Sequence, residues 1–204
     1  MKQIISALSR ARIPIVTVAL TYALSLIAGI LMATSGNTFA LYYRDQLVGD
    51  AVKNDAVVKT NLEGNKLQAA LMDFGGNLLI GSVPKSVMGF AIILPYPFIA
   101  YQGWIGGIVS VRGDHSSRLN SPPSATYYIL TLILQLAAYS ISVGAGVNAG
   151  VAMLRTRPPS YYQGDKLFRL VPKEALRDWG RLYLLAAPIF LVASLWEFLS
   201  PWNV

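Results

Sequence analysis

Two carboxylates, Asp73 and Glu197, stand in stretches that are otherwise apolar, where an ionised side chain is costly and marks a site or a partner contact by default. Glu197 lies within Ala193-Ser194-Leu195-Trp196-Glu197-Phe198-Leu199-Ser200-Pro201-Trp202. Asn77, Gln135 and Ser142 add neutral hydrogen-bonding groups in similar surroundings. Either Glu197 meets headgroups at the outer end of its stretch, or it turns inward and accepts hydrogen bonds from a partner such as Asn77. Brought within hydrogen-bonding reach of one substrate, Asp73 and Glu197 would form a carboxylate pair for intramembrane catalysis.

No second catalytic set supports that pair. The only histidine, His115, sits in the hydrophilic loop Arg112-Gly113-Asp114-His115, which excludes both an HExxH zinc helix and an intramembrane serine and histidine pair. No GxxxxGK[ST] loop occurs, and the absence of cysteine removes disulfides and thiolate metal sites. The expectation is a chain without catalytic residues, cofactor or metal.

Helices that cross a membrane have to hold these residues. Hydrophobic side chains make up 54% of the 204 residues and charged ones 13%, too little polar surface to cover a soluble domain. Several stretches reach the roughly 20 residues that a helix needs to cross a hydrocarbon core about 30 Å thick. The expected fold class is all-α, a polytopic transmembrane helical bundle in one domain over 1–204, with about five spans at 13–33, 67–83, 87–111, 126–153 and 182–199. Pro84-Lys85 is expected to break the helix after the second span. Pro95, Pro97 and Gln102-Gly103 interrupt the third, so it is kinked or re-entrant and packs inside protein. An alternative joins 74–100 into one long helix and turns 101–111 back as a half-helix.

Charge sets the orientation. Lys2, Arg10 and Arg12 precede the first span without an acidic residue, and the loop 154–181 carries Arg155, Arg157, Lys166, Arg169, Lys173, Arg177 and Arg181 against Asp165, Glu174 and Asp178. Both segments are expected on the cytoplasmic side of a cell inner membrane, with the chain multi-pass and its N-terminus inside. The arm 34–66 balances its charges, is partly helical and is expected outside the cytoplasm. Trp179, Tyr183, Trp196 and Trp202 bracket the last span as an aromatic belt does. The formal net charge of +7 hugs span ends rather than forming one basic face, which argues against nucleic acid.

Ala138, Ser142, Gly146 and Gly150 recur every fourth residue and share one helix face, where another backbone can come close. Packing within the chain is the first expectation for this face and a homo-oligomer contact the second. Gln135, Tyr139 and Ser142 form a polar stripe beside it, for interhelical hydrogen bonds or for the wall of a solute path.

The stretch Ala193 to Pro201, an alanine at the head of the last helix's end, then Glu197, a hydrophobic pair and a proline at the exit, resembles the C-terminal signature of the stage II sporulation protein M family of integral membrane proteins. Phe74-Gly75-Gly76-Asn77 and Tyr101-Gln102-Gly103-Trp104-Ile105-Gly106 are similar to that family's asparagine-started helix and its Asn-Gly-x-x-x-Gly stretch. Gln135-Leu136-Ala137-Ala138 with Gly144 and Gly146 is similar to its Glu-Leu-Pro-Ala helix. The family's Pro-His-Gly triplet is missing, its glutamate is Gln135 here, and Gln102 stands for its asparagine. The resemblance implies a non-catalytic scaffold or assembly subunit of a membrane complex, whose partners are the lipid bilayer and other membrane or envelope proteins. Contacts are expected through the arm 34–66, the basic loop and the small-residue face 138–150. The second reading is a permease or channel component, with a path lined by the broken helix 87–111 together with Asn77, Gln135 and Ser142.

Overall fold

The computed structural model describes residues 2–154, 166–167 and 171–202. Helices account for nearly all of it. Three are long and apolar enough to cross a membrane: α1 (Lys2–Thr34), α7 (Pro122–Leu154) and α8 (Lys173–Leu199). On α1, Ile13, Val16, Leu20, Leu24, Ile27 and Leu31 are each more than half exposed, a continuous outward stripe at helical spacing that only an apolar solvent stabilises. Beyond the stripe, α1 extends to Lys2 rather than starting at Ile13. Ala7 and Ala11 pack on Ala145 and Leu182, so tertiary contacts continue the helix after its hydropathy has ended.

The second and third expected spans are divided differently. α4 (Lys66–Gly75), a π-helical segment (Gly76–Ser82), α5 (Val83–Met88) and a 3₁₀ turn (Gly89–Ala91) follow one another without a break. Pro84 therefore does not end the helix, contrary to expectation. It lacks an N–H and would crowd the carbonyl four residues earlier, and the widened π turns just before it accommodate both effects. The break comes instead at Ile92, whose φ of +60° is costly for a β-branched residue. α6 (Pro95–Ile108) then starts with Pro95 in its first turn, where a missing N–H costs nothing. Its 14 residues extend about 21 Å, less than the roughly 30 Å of a hydrocarbon core.

Between α1 and this region, the arm folds as α2 (Thr38–Asn54) and α3 (Ala56–Leu62). Asn37 caps α2 by accepting the Ala40 N–H, and Asp55 ends α2 while capping α3 through Val57 and Val58. Phe39 and Tyr43 lie against Trp104 of α6, with ring centroids 6.0 and 5.3 Å away, and Tyr43 and Tyr101 share a hydroxyl hydrogen bond of 2.7 Å.

The core lies where α1, α6, α7 and α8 meet, around Val18, Tyr22, Ile99, Tyr139, Val143, Ala186 and Phe190. α7 is the buried centre. The face bearing Ala138, Ser142, Gly146 and Gly150 is covered by the chain itself: a Cβ on Gly146 would strike the Ser86 carbonyl, and one on Gly150 the Phe90 and Gly89 carbonyls. It is not an open surface for a partner. Of the basic loop, Arg155, Arg157, Asp165, Arg169 and the side chain of Lys166 lie outside the described residues; a two-residue ladder pairs β1 (Lys166–Leu167) with β2 (Val171–Pro172) just before α8.

Candidate functional site

Near the C-terminal end of α8, Glu197 faces the bundle, and its partner is not Asn77. Gln135 Nε2 of α7 donates to Glu197 Oε2 at 3.1 Å. Asn77 lies one turn after Asp73 on the 66–91 run, so its amide donates to Asp73 Oδ2 at 2.9 Å while its carbonyl accepts the Tyr139 hydroxyl at 2.7 Å. Ser194, one turn before Glu197 on α8, donates to the same Asp73 oxygen at 2.6 Å. Three helical elements are thus joined by Ser194, Asp73, Asn77 and Tyr139, beside the Gln135 and Glu197 pair. Asp73 and Glu197 feel each other's charge, but each is held by its own donors.

The last carbonyls of a helix have no partner within it, and the same end of the molecule uses this repeatedly. The Tyr127 hydroxyl of α7 donates to the Glu197 carbonyl at 2.9 Å, and Trp196 Nε1 donates back to the Tyr127 carbonyl at 3.2 Å. At the end of α6, the Tyr128 hydroxyl donates to the Gly106 carbonyl at 2.5 Å and Arg118 Nε to the Val109 carbonyl at 3.1 Å. Arg118 sits in the short 3₁₀ turn Arg118–Asn120 that leads into α7.

These groups enclose a chamber of about 200 Å³, lined by Gly106, Val109, Arg118, Tyr127, Tyr128, Thr131, Leu132, Gln135 and Glu197. It carries a cation at one wall and a carboxylate with an amide at another, and Arg118 acts electrostatically on Glu197. Burial pulls the Arg118 pKa down, the nearby Arg44 and Arg112 charges add to this, and Tyr127 and Tyr128 oppose it. Ser142 and Asn77 do not line the chamber. The Ser142 hydroxyl bonds back to the Ala138 carbonyl at 2.8 Å, and its own carbonyl accepts from Ser86 at 2.6 Å. Of the three residues expected along a solute path, only Gln135 reaches this space.

At the opposite end, the fully buried Asp178 of α8 receives Arg10 Nε at 2.6 Å, Arg10 Nη2 at 2.5 Å and Arg181 Nη1 at 2.9 Å. A two-point guanidinium clamp of this kind joins the N-terminal parts of α1 and α8. Next to it, Trp179 Nε1 donates to Ser86 Oγ at 2.9 Å.

Sequence reasoning named Asp73, Asn77, Gln135 and Glu197 but not Arg118, Tyr127, Tyr128 or Ser194. A signal was available in Tyr127 and Gln135, which lie two turns apart on one face of α7. Among the described residues, no group of three or more histidine, cysteine, aspartate or glutamate side chains is placed to hold a metal ion. Comparison with known protein families, with curated proteins and with solved structures returns no match to this chain.

Proposed function

We propose that this chain is a non-catalytic, multi-pass membrane protein that serves as a scaffold or assembly subunit, as its resemblance to the stage II sporulation protein M family implies. The Asp178 end, which holds Arg10, Arg12, Lys173, Arg177 and Arg181, faces the cytoplasm of a cell inner membrane, and the Glu197 end faces outward. The observation that carries the reading is the arm. Its helices are capped at both sides of Asp55, anchored on Trp104 by stacked aromatics, and still leave Phe39, Tyr42, Val48 and Val52 exposed on a segment too charged to enter hydrocarbon. A rigid element outside the spans with unburied aromatic and aliphatic groups suits contact with another membrane or envelope protein, or with a second copy. Photocrosslinkers placed at Tyr42 and Val52 in native membranes should each trap a protein adduct. Recovery of the lone chain from both positions, and from a mild-detergent pull-down, would reject the reading.

One observation favours a permease component instead. α6 is too short to cross, and it meets the 66–91 run at the strained Ile92, an interrupted arrangement that transporters use around solute sites. Solute uptake into liposomes that is lost in Gln135→Leu would support this second reading over the first.

A further inference from the structure

The chamber does not end at Leu132. Tyr128 and Leu132 also line a second cavity of about 220 Å³, formed by Leu26 and Ile30 of α1 with Leu119, Ile129, Ile133 and Leu136, and no polar atom contributes to it. Ile129 and Ile133 are 47% and 56% exposed, so this groove opens on the side of the bundle where lipid tails would run. The two spaces therefore share a wall: one has separated charges and lies beside helix ends, the other is entirely apolar and runs down between two spans.

A free zwitterion would use only the first space, and a fatty tail only the second. A molecule that carries an anion, a primary amine and an acyl chain would use both. The anion belongs on Arg118, whose Nε is fixed to the Val109 carbonyl, which aims the planar guanidinium. The amine belongs on the Glu197 carboxylate, which Gln135 and the Tyr127 contact to the Glu197 backbone hold in place. The chain belongs against Leu26, Ile30 and Leu136.

We propose that chamber and groove form one site, and that it holds a zwitterionic phospholipid with its phosphate on Arg118, its primary amine on Glu197 and one acyl chain between α1 and α7. The site goes beyond a scaffolding role and does not depend on it. Binding would be selective for phosphoethanolamine heads over phosphoglycerol, which has no amine for Glu197, and over phosphocholine, whose methylated amine has no N–H to donate.

Native mass spectrometry of the purified full chain in mild detergent, titrated with dioleoyl phosphatidylethanolamine, phosphatidylglycerol or phosphatidylcholine, tests this directly. One phosphatidylethanolamine should be retained about tenfold more tightly than either competitor. Glu197→Gln should erase the preference for the amine while leaving general lipid retention. Arg118→Ala should weaken retention of all three lipids at this site, and Leu132→Trp, which fills the shared wall, should abolish the tight event. Thermal unfolding of each variant shows whether it is folded, and Gln135→Leu supplies a second chamber variant should Glu197→Gln not fold. Equal retention of the three lipids by the unaltered chain would overturn the proposal, as would a preference that survives both Glu197→Gln and Gln135→Leu. Soluble phosphoethanolamine competing as well as the lipid would also overturn it, leaving a chamber for free solutes.

Discussion

Two carboxylates on α8 divide the molecule. Asp178 is wholly buried and gripped by Arg10 and Arg181, next to the close backbone approach where Gly146 meets Ser86. Glu197 is held by a neutral amide and borders a chamber that Arg118 also lines. Both charges sit on the same helix, yet Asp178 is closed in by two guanidinium groups while Glu197, amid hydrogen bonds of its own, borders a space. The difference teaches that an ionisable residue in an apolar helix is read by what surrounds it. A carboxylate gripped by two guanidinium groups closes the fold, while one that borders a cavity is the one proposed to receive a ligand.

The largest effect expected from breaking this contrast is at the Asp178 end. Asp178→Ala leaves Arg10 and Arg181 facing each other without their carboxylate and should cost about 3 kcal/mol. The thermal midpoint in detergent, followed by circular dichroism, should fall by roughly 6–12 °C. An unchanged midpoint would mean that the clamp is ornamental. Gly146→Ala comes next. Its Cβ meets the Ser86 backbone rather than a side chain that can move, so about 1–3 kcal/mol is lost. Gly75→Ala, with nothing near its Cβ, should instead hold stability or raise it by up to about 1 kcal/mol. If the two glycine variants behave alike, the close approach does not organise the bundle.

Glu197→Gln should change stability by less than about 1 kcal/mol, because the new amide oxygen still accepts from Gln135. It should change only what the chamber binds. A midpoint loss as large as that of Asp178→Ala would erase the distinction between the two ends.

The smallest effect is in the arm. Hydrogen bonds from Arg44 and His115 hold the Asp45 carboxyl below its ordinary range. A depressed native pKa means that the unfolded chain takes up the proton first, so the associated stability is intact above about pH 4 and fades as pH falls through the lower native value. Asp45 is 45% exposed, which keeps the contribution small. Asp45→Asn should flatten the acid limb of the stability profile below about pH 4 and lower stability slightly at neutral pH, where the carboxylate otherwise contributes.

Much of the frame was legible in the sequence. The apolar runs at 13–33, 126–153 and 182–199 fall inside α1, α7 and α8, because length and hydropathy suffice to find a helix that is wet by lipid. The N-terminal turns of α1 escaped that test. Arg10 and Arg12 end the apolar run, yet the helix continues on alanine packing and on a salt bridge to a residue 168 positions away. Pro84 misled for a different reason: it breaks an α-helix, but π geometry around it was not encoded in any local pattern. Asn77 and Glu197 were both recognisable as polar residues in apolar surroundings, but periodicity assigns a face only within one helix. Which face of α7 meets α8 was decided by Gly144, Gly146 and Gly150, which pull that helix against Ile15, Ser86 and Phe90 and so turn Gln135 toward Glu197.

The π segment at Gly76–Ser82 has one more consequence. Each π turn stores an extra residue relative to an α-helix, so the 66–91 run carries slack that a regular helix lacks. Reabsorbing one residue would advance everything beyond it by about 100° of rotation and 1.5 Å of rise. Asp73 lies before the slack and Ser86 after it, with Lys85 stacked 5.1 Å from the Tyr139 ring in between. The parts of this run that meet the Glu197 end and the Asp178 end are thus separated by one π-helical segment, so the rotational phase between them differs from that of a regular helix of the same length.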